Sequence, residues 1–201
     1  MPADIGSRHD HIIDAARTCF ARRGFHQATM QDICAAAGLS PGSLYRYFRG
    51  KDDLIAALVE RDRAESLALI DTVRETDDIL TALGDLADAS LASFDDPQEC
   101  ALSIEIAAEA VRNPRVGALV RRYTDGVADA LTAVISAAQR REQIDPALDP
   151  RALARTLLAL IDGLIVQKSL DPDLDIRAYG VFYRALLAKL PRRDDASATD
   201  R

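Results

Sequence analysis

The side chains best suited to chemistry in this sequence are crowded between Thr29 and Lys51, and their chemistry is recognition, not bond breaking. Ser40, Pro41, Gly42, Ser43, Leu44, Tyr45, Arg46, Tyr47, Phe48, Arg49, Gly50 and Lys51 follow one another without interruption. Gly42 and Ser43 are small enough to let a backbone approach a planar edge closely. Arg46 can reach a guanine edge or a phosphate, and the hydroxyls of Tyr45 and Tyr47 can meet phosphates from the flanks. Lys51, with the free N–H groups at the start of the helix it opens, adds a further anion site. Catalytic constellations are missing: the sequence holds no Gly-rich phosphate loop after a strand, no HExxH, no nucleophile elbow and no cluster of His or Cys. Cys19, Cys34 and Cys100 are odd in number and widely spaced, as expected of small buried apolar residues. His9 and His11 lie two apart and so point in different directions on a helix. Neither metal nor cofactor is expected, nor an enzyme.

A net charge of -7 speaks at first against a polyanionic partner. Its distribution reverses that reading. The first 51 residues hold seven basic side chains (Arg8, Arg17, Arg22, Arg23, Arg46, Arg49, Lys51) against four acids (Asp4, Asp10, Asp14, Asp32), a balance of +3, which leaves -10 for the remainder. A basic, nucleic-acid-facing segment joined to an acidic body that a duplex repels accounts for this asymmetry.

The elements that must position these residues are helices. No stretch alternates apolar and polar residues with period two, and Gly and Pro punctuate helical segments instead of forming hairpin pairs. Nine helices are expected, over 7–23, 29–37, 40–47, 51–75, 78–94, 97–111, 114–142, 150–169 and 173–190, followed by a disordered tail at 191–201. Thr29 and Asp32 form a capping box for the second of these, whose apolar face is Met30, Ile33, Cys34 and Ala37. Gly38 ends it with a left-handed residue, and one residue later Ser40 caps the next helix, with Pro41 at its first position. Two helices joined so tightly cross steeply, as in a helix-turn-helix. On the following helix Leu44 and Phe48 share one side, while Gly42, Ser43, Arg46 and Tyr47 share the other.

Gly24-Phe25, Thr29, Ile33, Ala36-Ala37-Gly38, Ser40, Gly42, Leu44-Tyr45, Tyr47-Phe48 and Lys51-Asp53-Leu54 together resemble the DNA-binding domain of the TetR family. The resemblance covers about residues 8 to 60 and rests on many positions at fixed spacing. It implies an all-α TetR-like architecture: a helix-turn-helix domain at 8–60, and a ligand-binding and dimerisation domain at 61–190. By resemblance, Thr29, Ser40, Pro41, Gly42, Ser43, Tyr45, Arg46, Tyr47 and Lys51 sit where the family contacts DNA. The implied function is that of a ligand-responsive transcriptional regulator, a repressor released from a palindromic operator by a small, mostly apolar effector. Its partners would be the double-stranded operator, the effector and a second copy of the chain.

Beyond residue 60 the reading rests on pattern. The segment 150–169 is apolar nearly all round and must be buried on more than one side. It pairs with the apolar stripe of 173–190 to make a four-helix interface across a two-fold axis, for which Leu157, Ile161, Leu164, Ile165, Tyr179, Phe182, Tyr183 and Leu186 are the candidates. The family dimerises through its last two long helices. Glu105 and Glu109, four apart, repel one another unless something positive lies between. They mark a pocket for a cationic or hydrogen-bonding ligand, or an acidic solvent edge, or a pairing with Arg112 or Arg121. Asp162, inside an apolar run, needs a partner in a pocket or at the dimer contact. With Leu91, Phe94, Leu102, Ile106, Tyr123 and Val127 these three acids form the expected effector lining. No apolar run reaches the roughly 18 residues that span a bilayer, and the N-terminus shows no signal segment, so no membrane contact and a cytoplasmic location are expected.

Overall fold

Helix punctuation explains the architecture. The computed structural model describes residues 3–190, so the tail expected at 191–201 lies outside the described residues. Among the described residues nine α-helices and a single 3-10 turn form the regular structure, without strands. They are α1 (Ala3–Gln27), α2 (Met30–Ala36), α3 (Pro41–Leu44), α4 (Lys51–Asp71), α5 (Ile79–Ser93), α6 (Pro97–Arg112), α7 (Pro114–Arg140), α8 (Pro150–Leu170), the 3-10 turn Ile176–Ala178, and α9 (Tyr179–Leu187). None is long and apolar enough to cross a membrane.

The chain divides into two compact units. One gathers the residues up to Asp62 together with Gln98–Tyr123, and the other Arg63–Pro97 with the residues from Thr124 onward. These units are not the segments 8–60 and 61–190 expected from the sequence, since α6 and the start of α7 pack with the N-terminal helices. The cause is a shared core: Leu102 and Val116 are buried in the same apolar cluster as Ile12, Phe20, Ile33, Leu44, Leu54 and Leu58, with Ile106 and Tyr123 packed against it. Every fully buried Leu or Ile of this kind contributes about 1.5–3 kcal/mol relative to exposure.

Several helix boundaries differ from the expected ones, three of them for a visible reason. The third helix ends at Leu44, not at 47; Tyr47 and Phe48 then bond back to the Leu44 carbonyl at 2.9 and 3.1 Å in a closing turn. The fourth ends at Asp71, not at 75, where tighter bonds such as Val73 N–H to the Ile70 carbonyl (3.2 Å) take over. The last begins at Tyr179, not at 173. The buried ammonium of Lys168 donates to the carbonyls of Pro172 (2.8 Å) and Leu174 (2.6 Å), which holds 171–174 outside any helix, and Asp175 caps the 3-10 turn instead.

In the second unit α9 lies against α5. Arg184 donates to Asp85 at 2.7 Å and to Asp88, and Tyr183 turns its hydroxyl inward to the Leu157 carbonyl at 3.4 Å. Burial pushes the Tyr183 phenol well above the usual tyrosine range, in keeping with a neutral hydroxyl that donates to a carbonyl. The approach is close because residue 180 is glycine: a Cβ there would run into Asp88 Oδ1. Gly180→Ala is therefore expected to destabilise the chain by about 1–3 kcal/mol in urea denaturation followed by circular dichroism. The cost should be smaller in an Asp88→Ala background, and an equal cost in both backgrounds would show that the contact does not matter.

Candidate nucleic-acid interface

The interface is built from two very short helices whose ends are fully tied. Thr29 caps α2: its hydroxyl accepts the Asp32 N–H at 3.1 Å and donates to Asp32 Oδ2 at 2.7 Å, while the Asp32 carboxylate also accepts the Thr29 N–H at 2.9 Å. Those bonds hold the Asp32 carboxyl below the usual carboxylate range. At the other end Gly38 has φ 61°, its N–H bonds to the Ala35 carbonyl (3.2 Å) and the Leu39 N–H to the Cys34 carbonyl (2.9 Å), the two bonds of a Schellman close. Ser40 then caps α3 by accepting the Ser43 N–H at 3.3 Å, and the two serine hydroxyls lie 3.0 Å apart.

With the helix phase fixed in this way, Leu44 and Phe48 are buried and Pro41, Gly42, Tyr45 and Arg46 are exposed, Tyr45 by 53%. Ser40 and Thr29 are exposed beside them and Ser43 is half-buried. Tyr47 differs from the expected outward position. It is half-buried and packs against the apolar cluster, because the chain leaves the helix after Leu44 and its ring swings toward the core. Lys51 differs more. Its ammonium donates to the carbonyls of Phe25 and His26 and sits 4.5 Å from the Phe25 ring centroid, so it is turned inward, not toward a phosphate. Arg49, counted in the sequence only toward the charge balance, is exposed just before α4, its own N–H accepted by Asp53 at 3.0 Å. A base next to a glycine at a helix start was the signal for it.

The residues expected to line an effector pocket are not brought together within one unit. Leu102, Glu105, Ile106, Glu109 and Tyr123 belong to the first, and Leu91, Phe94, Val127 and Asp162 to the second. Glu105 and Glu109 each meet partners in the first unit beyond those expected. Glu105 accepts the N–H of Phe25 at 2.9 Å. Glu109 is buried, accepts from the Asn113 amide at 3.0 Å and has His26 Nε2 at 3.4 Å. In the second unit Leu91 and Val127 are core residues and Phe94 is half-buried. Solvent reaches Asp162, yet the apolar atoms around it push its carboxyl above the usual range. A shallow concavity of about 280 Å³ is lined by Asp88, Ala92, Arg177, Val181 and Arg184, none of them expected residues.

The apolar face of α8 and α9 also sorts differently from the expectation. Leu157, Ile165 and Tyr183 are buried within the single chain, and on α8 positions 154, 157, 165 and 168 share the inward side. Ile161 and Leu164 flank that side, half-buried. The outward positions are Leu160 and Val166 on α8 and Tyr179, Phe182 and Leu186 on α9, with Phe182 67% exposed.

Residues 12–58 match the family pattern described as "Bacterial regulatory proteins, tetR family", and residues 80–192 the one described as "BetI-type transcriptional repressor, C-terminal". The HTH-type transcriptional regulator UidR of Escherichia coli (strain K12) is 30% identical over 169 residues, which covers 82% of this chain and 83% of that protein. Among solved structures, Salmonella enterica GusR aligns with a TM-score of 0.79 at 30% identity, over 90% of this chain and 94% of that one. FadR from Bacillus subtilis, solved in complex with stearoyl-CoA, aligns with a TM-score of 0.81 at 20% identity over 89% and 97%, a likeness of fold alone. The chain belongs to the TetR family, and is a DNA-binding helix-turn-helix transcriptional regulator, not an enzyme.

Proposed function

We propose that this regulator is a repressor that binds a palindromic operator as a two-fold dimer and is released by a small, mostly apolar effector. The observation that carries the DNA reading is the outward face of Ser40, Pro41, Gly42, Tyr45 and Arg46, held above buried Leu44 and Phe48. Small residues at the start of α3 let its backbone approach base edges, Arg46 supplies the bidentate donor, and Thr29, Ser43 and the Tyr45 hydroxyl meet phosphates. Two copies of this face reach successive major grooves about 34–36 Å apart.

The dimer reading rests on the apolar side chains that α8 and α9 leave in solvent. Tyr179, Phe182 and Leu186 recur at three- and four-residue spacing on one side of α9, and Leu160 and Val166 extend the patch on α8. A second copy related by a two-fold axis covers such a patch with itself. The effector takes its apolar contacts from the second unit, where Leu91, Phe94 and Val127 lie; that FadR from Bacillus subtilis was solved with stearoyl-CoA supports an apolar ligand in this fold. Because a ligand shifts DNA affinity only by binding one conformation better than another, effector and operator oppose each other by the same factor.

Selection of bound fragments from random duplexes tests the operator, and an inverted repeat is expected; enrichment of unrelated single sites would refute the two-fold reading. Arg46→Ala should weaken binding to the selected duplex by about 1–3 kcal/mol and relax the preference at one base pair of each half-site. Phe182→Glu places a charge on the exposed patch, not in the core, so the chain should keep its circular dichroism and sediment as a monomer. A folded dimer carrying that change would mean that another surface pairs.

A further inference from the structure

Charged groups that the DNA face does not use converge on the corner between α1 and α2. Gly24 breaks α1 with φ 74° and ψ 159°, and the chain resumes as a single turn through Phe25, His26 and Gln27, the Ala28 N–H bonding to the Gly24 carbonyl at 3.1 Å. Such a turn starts with free N–H groups and ends with free carbonyls. Each end meets a side chain of the matching sign. At its start Glu105 of α6 accepts the Phe25 N–H at 2.9 Å, with Oε1 3.1 Å from where a Cβ on residue 24 would stand. At its end Lys51 of α4 donates to the carbonyls of Phe25 and His26, the latter at 3.2 Å, with the Phe25 ring beneath the ammonium. One turn farther along α6, buried Glu109 lies 3.4 Å from His26. All of these residues belong to the first unit.

We propose that Glu105 and Lys51 are positioning residues for DNA binding, a two-sided clamp through which α6 and α4 set the direction of the Phe25–Gln27 turn and hence of α2 and α3. Only Ala28, fully buried, separates this turn from Thr29, the cap of α2. A change of direction at the corner therefore cannot be absorbed before the DNA-reading helices begin, and the tight Gly38-Leu39 link passes it on to α3. Two of the three Lys51 donors are spent on the corner, so its reach toward a phosphate would cost both bonds. The charge-assisted bonds at both ends are of the stronger kind.

The clamp rests on α2 and α3 reading DNA, and it is tested on the full chain with the duplex that the wild type selects. Lys51→Ala should weaken binding about tenfold or more, with the slope of log affinity against log salt unchanged. A slope reduced by about 0.9 would instead make Lys51 a phosphate contact and overturn its half of the clamp. Glu105→Ala should weaken binding about tenfold and speed hydrogen exchange at the Phe25 amide, while amides of α5, α8 and α9 keep wild-type protection. Glu105→Gln keeps an acceptor for that N–H and should restore both affinity and protection. If Glu105→Ala fails to fold, Glu105→Gln decides alone: near-wild-type affinity and Phe25 protection support the clamp, and a loss of about tenfold in a folded chain overturns it. Unchanged affinity in Glu105→Ala overturns the clamp beside a wild type that still binds, whereas a wild type that retains no duplex refutes the DNA-binding reading itself.

Discussion

Helices of seven and four residues, the lengths of α2 and α3, cannot hold themselves together in water, because a nucleus of that size recovers too few backbone bonds for the dihedral entropy it fixes. Everything in the first unit answers to this constraint. The capping box at Thr29 and Asp32, the left-handed close at Gly38 and the serine cap at Ser40 satisfy the ends. Ile33, Cys34, Leu44 and Phe48 then anchor the inner side of the pair in one apolar cluster with α1 and α4. With the inner side fixed so completely, the outer one is left to small, polar and basic side chains, and recognition follows from what stability does not require.

The same constraint explains why the first unit draws on residues far away in the chain. Three N-terminal helices with an opening turn of α4 form a small core, and small cores are marginal. Leu102 and Val116, with Ile106 and Tyr123 packed on them, enlarge it. Ion pairs then fasten the added helices: Arg17 joins Glu99 and Asp62, and Arg115 reaches Asp53 at 2.6 Å. Each such pair near the surface is worth at most about 1 kcal/mol, so they fix orientation more than they stabilise. An acid on α6 that meets an N–H at the α1 corner is the same economy of contacts, applied at the point where direction matters most.

In the second unit the balance differs, since α8 and α9 carry more apolar surface than one chain can cover. The inward side of α8 closes on Leu157 and Ile165, Tyr183 spends its hydroxyl on the Leu157 carbonyl, and Arg184 locks α9 to α5 through Asp85 and Asp88. Leu160, Val166, Tyr179, Phe182 and Leu186 remain in solvent. Apolar area of this kind costs about 25 cal/mol for every Å² left in water.

Periodicity and punctuation in the sequence by themselves determined the helical class, the capping box, the glycine close and the inward placing of Leu44 and Phe48, because those features depend on contacts no more than a few residues apart. The resemblance carried by Gly24 to Leu54 supplied the family for the same reason, being a run of local spacings. What only the tertiary structure decided are the matters settled by distant partners. Tyr47 looks outward on a helical wheel and Lys51 reads as an anion site at a helix start, yet the core and the carbonyls of residues 25 and 26 draw them in. Glu105 and Glu109 read as a repelling pair in search of a cation, and their partners proved to be a backbone N–H 80 residues earlier, an asparagine amide and His26. On α8, a helix apolar nearly all round offers no clear period from which to choose a side, so Leu157 and Ile165 could be told from Leu160 and Val166 only once α9 had taken its place: burial is a property of what lies across the gap, and no local pattern contains it.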